Sequence, residues 1–153
     1  MSVSRLLAVA AALAALAAAV PALAADPDDG PICTVKAKSS YRLAKASKPG
    51  MAVRITCDAP AQAFAAVDLL PGQAERNVNR KAHPGSDGFS ARRSVPEGKP
   101  ATFHVKLAGY ARKAVKKAGG SKIVFILGIK KAAGHFHNNP GPGGSARSKL
   151  VVR

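Results

Sequence analysis

The chain reads as an all-β domain, a sandwich of about seven short strands crossed by one short helix and stapled by one disulfide. Three observations point there. Runs of strict apolar/polar alternation recur along the sequence, the period of a half-buried strand. Eleven prolines and fourteen glycines cut the chain into short pieces. Two cysteines, Cys33 and Cys57, each fall on the apolar side of an alternating run.

The first 25 residues stand apart from this pattern. Arg5 is followed by an apolar run from Leu6 to Val20, a breaker at Pro21 and the small-residue pattern Ala22-Leu23-Ala24. That is the signature of a secretory signal peptide, with residues 1–24 expected to be removed. Residues 25–31, an acidic and Pro-rich arm, are expected to be disordered, and residues 32–153 to form the β-sandwich domain. No later segment is long and apolar enough for a membrane span of about 20 residues. The expected address is secreted or extracytoplasmic.

The elements follow in order. ICTVKAK places Cys33, Val35 and Ala37 on one face, and MAVRITC places Met51, Val53, Ile55 and Cys57 on one face. Both cysteines therefore face inward, as a bridge inside a sandwich requires. An even cysteine count behind an export signal favours that bridge, and closing a loop of about 25 residues contributes roughly 3 to 4 kcal/mol. QAFAAVDLL is the third strand. Residues 73–88, QAERNVNRKAHPGSDG, are polar and aperiodic and read as a long loop, the least ordered internal segment. GFSARRSV is a weak fourth strand, and ATFHVKL alternates cleanly as the fifth.

The stretch GYARKAVKKAGG carries a helical stripe. Leu107, Tyr110, Ala111, Ala114, Val115 and Ala118 recur at i, i+3, i+4, i+7, i+8 and i+11, with Arg112, Lys113, Lys116 and Lys117 opposite. Gly119-Gly120 supplies the stop. SKIVFILGIKK is apolar on both faces, as a strand covered on both sides would be. AAGHFHNNPGPGGS reads as a loop or wide hairpin, and ARSKLVVR as a last strand. About seven short strands of this spacing with one disulfide suggest an immunoglobulin-like sandwich, with a closed barrel as the main alternative.

From Met51 onward the order of features resembles small immunoglobulin-like modules of secreted proteins from high-GC Gram-positive bacteria. The matching features are MAVRITC, ATFHVKL, the basic helix turn LAGYARKAVKKAGG, the long apolar strand and the return strand SKLVVR. Such modules often carry an Asp-Ala-Ala-Gly-Asn turn after the long strand. Here Lys131-Ala132-Ala133-Gly134-His135 stands in its place, with no Asp to cap the turn or bind a cation. The resemblance implies a fold and an extracellular address, and brings no catalytic residues.

Charge is the strongest functional signal. Lys and Arg outnumber Asp and Glu by 24 to 8, and no acidic residue follows Glu97. Such an imbalance attracts polyanions. The expected function is an exported, non-enzymatic module that binds an anionic cell-envelope or extracellular component, with Arg112, Lys113, Lys116, Lys117, Lys130 and Lys131 as contributors. A second expectation is a copper- or zinc-binding module built on His135 and His137, whose imidazoles share a side if the segment is extended. Nothing in the spacing selects its further ligands from His83, His104, Asp58, Asp68 and Asp87. A third is a purely structural or protein-interaction module whose charge confers solubility.

Catalysis finds little footing. There is no nucleophile elbow, both cysteines are consumed by the expected disulfide, and GGSK lacks P-loop spacing and precedes a strand. No enzyme activity and no cofactor are expected. No specific nucleic-acid partner is expected either, because the aromatics are scattered and most phenylalanines fall at inward positions.

Overall fold

A computed structural model of the chain describes residues 30–130, 136–138 and 143–152, the middle segment by its backbone. The expected leader at 1–24, most of the acidic arm, Lys131 and His135 lie outside the described residues.

The described chain is mostly strand. Its elements are β1 (Cys33–Lys36), β2 (Ser40–Arg42), β3 (Met51–Cys57), β4 (Ala61–Leu69), α1 (Gln73–Arg76), β5 (Gly88–Phe89), β6 (Arg93–Val95), β7 (Ala101–Leu107), α2 (Gly109–Ala118), β8 (Gly120–Lys130), β9 (Phe136–Asn138) and β10 (Ser145–Val151). A short 3-10 turn, Leu43–Ala46, follows β2.

The alternating runs became strands where the pattern placed them. β7 buries Phe103, Val105 and Leu107 and exposes Thr102, His104 and Lys106. β8 contributes Ile123, Phe125, Leu127 and Ile129, all fully buried. It lies between β4 on one edge and β10 and β9 on the other, so its ladder is satisfied on both sides.

The strands do not separate into two independent facing sheets. One path runs β1-β3-β7-β5-β4-β8-β10-β2, with β6 beside β4 and β9 beside β8. The two-residue β5 joins β7 to β4 and makes the sheet continuous. The Val35 N–H of β1 donates to the Gly143 carbonyl just before β10, so the path curls around its own core into a half-barrel. Ten strands are described where about seven were expected. The excess comes from two- and three-residue pieces too short to show a period. The expected strand GFSARRSV, for example, splits into β5 and β6. Between them Ser90 exchanges bonds with Ala65, its N–H donating to the carbonyl and its hydroxyl accepting the N–H, so the chain bulges away from β4.

The expected disulfide is present. Cys33–Cys57 is formed, but it joins directly paired neighbours in one sheet, Cys33 opposite Cys57, and does not cross a core between sheets. The adjacent pair, Ile32 and Asp58, is hydrogen bonded through the Asp58 N–H and the Ile32 carbonyl. The cysteines thus occupy the closer, non-bonded position of an antiparallel ladder, where Cα atoms approach within the reach of a bridge. Their Cα atoms are 4.0 Å apart.

Candidate basic cleft and the buried carboxylate beside it

α2 is built as its stripe predicts. Ala111, Ala114 and Val115 are buried, Tyr110 and Ala118 are half-buried, and Arg112, Lys113, Lys116 and Lys117 are exposed. Gly119 ends the helix at φ 74°, in the left-handed conformation that a residue without a Cβ adopts freely, and its N–H returns to the Lys116 carbonyl. The helix packs against β8, α1 and the 3-10 turn. It is a core-covering crossover whose outer row is charged.

That outer row borders a cleft of about 440 Å3. Its walls are Leu43, Ala44 and Ser47 from the 3-10 turn, Gly109, Arg112, Lys113 and Lys116 from α2, and Val152 after β10. Three cations therefore flank an apolar floor, and no carboxylate lines the cleft among the described residues. Sequence reasoning supplied the cations but missed Leu43 and Val152, which are some 70 and 40 residues distant and carry no local mark of their role.

Of the remaining predicted cations, the two described ones, Lys117 and Lys130, do not line this cleft. Lys117 lies on the exposed side of α2 but does not line it. Lys130 ends β8, ten residues along an extended strand from α2, about 33 Å at 3.3 Å per residue. Lys131 is outside the described residues. The histidine pair is likewise only half visible: the backbone of His137 pairs with Ile129 in β9, and His135 is not described. No group of three or more potential metal ligands occurs among the described residues.

The segment 73–88 departs most from expectation. It starts with α1 and is pinned by a buried carboxylate. Asp87 is fully buried. Arg80 grips it with both guanidinium branches, Nη1 to Oδ1 at 3.0 Å and Nη2 to Oδ2 at 2.9 Å, and the Leu69 N–H donates to Oδ2 at 2.8 Å. The Asp87 N–H donates to the Val67 carbonyl, and its own carbonyl accepts the Ala108 N–H at the start of α2. One residue thus ties β4, the loop and the entry to α2 together. Glu75 of α1 adds an ion pair to Arg80 at 3.3 Å. The hydrogen bond to Asp87 is the main cause that holds the Arg80 guanidinium above its ordinary pKa.

Tyr110 links this cluster to α2. Its hydroxyl donates to the Ser86 carbonyl at 3.2 Å, and its ring stacks on His83 with centroids 3.8 Å apart. Burial, followed by the nearby negative charge of Asp87, raises the Tyr110 hydroxyl above its ordinary value of 10. No family model matches the chain, and no curated protein matches it. Among the described residues, no helix is long and apolar enough to cross a membrane.

The acids of this region sit together. Glu75 and Asp87 pair with Arg80 and Asp68 accepts the Asp87 N–H, while the described residues lining the cleft at α2 include cations and no acids. A negative ligand would meet attraction at the cleft and repulsion at the cluster.

Proposed function

We propose that this protein is an exported, non-enzymatic β module that holds an anionic component of the cell envelope or extracellular matrix at the α2 cleft. The observation that carries the reading is the cleft itself. Arg112, Lys113 and Lys116 converge on an apolar floor with no carboxylate among the described lining residues. A solvated row of helix cations needs no such floor, whereas an anionic polymer with apolar or sugar-ring character uses both. The formed disulfide accords with an oxidising, extracytoplasmic address. The immunoglobulin-like assignment belongs to this proposal. It is supported by β1-β3-β7 on one side and β4-β8-β10-β2 on the other, joined by the two-residue β5 around one core.

The test is binding of dextran sulfate and polyphosphate across a salt series. The variant Arg112→Gln/Lys113→Gln/Lys116→Gln should bind at least about tenfold more weakly at low salt and show a shallower salt slope. Lys130→Gln, at the far end of β8, should behave more like the parent. Parent-like binding by the triple variant ends the proposal. Its stability should stay within about 0.5 kcal/mol of the parent, so a loss of binding would not reflect unfolding.

A further inference from the structure

The outer face of the sheet carries a feature that the cleft does not explain. On β4 the inward residues are Ala63, Ala65, Val67 and Leu69, which leaves Phe64, Ala66 and Asp68 outside. In register, Ala66 lies between Phe89 on one neighbour and Ile126 on the other, and Phe64 lies opposite Gly128. Phe64 covers Gly128 so closely that a Cβ there would collide with its ring. The rings of Phe64 and Phe89 are 6.3 Å apart. Ala66 is only 5% exposed, yet it belongs to no part of the main core. The outside of the half-barrel therefore has its own apolar cluster, with Phe89 at its crest, 51% exposed.

Cations frame this crest. Lys106 pairs directly with Phe89, and Arg147 pairs with Val124, two residues before Ile126 on the same face. Arg93 and His104 line a slot of about 370 Å3 beside Phe89. Asp68, the one carboxylate of β4 itself, accepts the Asp87 N–H at the end of the face nearest the acidic cluster.

We propose that this face is a second binding surface, seated on an anionic lipid bilayer, with Phe89 entering the headgroup–acyl boundary and Lys106 and Arg147 meeting lipid phosphates. The chemistry is that of interfacial anchoring, in which an apolar side chain and flanking cations act together. A convex apolar crest fits a planar, deformable surface better than it encloses a small ligand. A second copy of this chain would bring like charges together, since each carries 24 basic against 8 acidic residues. The inference stands on a different face from the α2 cleft and does not require it.

The chain contains no Trp, so Phe89→Trp places a single reporter on the crest. With vesicles of phosphatidylcholine and phosphatidylglycerol, its emission should shift to the blue and be quenched by brominated acyl chains. Phosphatidylcholine alone should give much less. Phe89→Ser should weaken co-sedimentation with the anionic vesicles by about tenfold, the share expected of a half-exposed ring leaving water. It should bind dextran sulfate like the parent. The α2 triple variant should keep the blue shift of Trp at position 89, so failure of the cleft and failure of this face are separately visible. An unshifted emission in protein that sediments with the vesicles overturns the proposal. So does parent-like sedimentation of Phe89→Ser. A shift with oligo-dT but not with vesicles also overturns it, and makes the crest a base-stacking site instead.

Discussion

α2 and the segment 73–88 lie side by side and use charge in opposite ways. α2 turns four cations outward and holds its place by burying Ala111, Ala114 and Val115. The 73–88 segment has few apolar residues to bury. It holds its place by turning Arg80 onto a fully buried carboxylate. A cation in water contributes little to stability, because solvent screens it and its side chain gives up entropy in any fixed contact. A cation facing a desolvated carboxylate is structural, because removing it leaves that charge buried and uncompensated. In a chain this basic, residue type therefore says little about role. The neighbour decides.

The largest expected effect follows from Arg80. Arg80→Ala should lower stability by about 3 kcal/mol, and the α2 triple variant should lower it hardly at all. Chemical denaturation of both checks the contrast, and a loss below about 1 kcal/mol for Arg80→Ala would show the loop to be held by other means. Next in size is the apolar hold on α2. Val115→Ala empties part of a fully buried site and should cost about 2 kcal/mol, with the cleft cations left in place. Polyanion affinity measured below the unfolding transition should then be little changed.

The smallest effect concerns the contact between the two regions. Tyr110→Phe removes the hydrogen bond to Ser86 and should cost about 1 kcal/mol at neutral pH. The pH dependence has a definite sign. The folded chain raises the Tyr110 pKa above 10, so it favours the neutral phenol over the phenolate. That stabilising contribution is complete below pH 10 and is lost as pH rises through the elevated folded value. Melting curves taken upward from pH 9 through the alkaline range should fall less steeply for Tyr110→Phe than for the parent. Identical slopes would remove Tyr110 from the alkaline response.

How much of this was legible beforehand follows from how each element is stabilised. α2, β7 and β8 show their periods because each buries one face or both along its whole length. The cysteine pairing was legible from the even count and the shared inward phase. Its geometry, between neighbours in one sheet, was not, because inward phase is the same whether the partner is adjacent or across the core. The cleft was half legible. Its cations cluster within one helix, but Leu43 and Val152 reach it from distant parts of the chain. Asp87 was named only as one unselected metal-ligand candidate in a polar loop, and its structural role was hidden, since burial of a charge leaves no period behind. The crest at Phe89 was hidden for a related reason: β5 is two residues long, too short to show which face a side chain takes.

Local pattern is enough to establish a β-rich chain with one crossover helix, the inward phase of the cysteines and a strong excess of positive charge. Those properties depend on residues near each other along the backbone, and they survive any arrangement of the strands. The curl of the sheet, the grip of Arg80 on Asp87 and the meeting of Phe64 with Phe89 depend on which strands become neighbours. That choice is made by the combined burial of the whole core, and a one-residue slip in any strand would send its outward side chains to the inside. The two candidate surfaces belong to this second class of property. One is a cleft joining a helix to a distant turn, and the other is a crest joining three strands across the outside of the half-barrel.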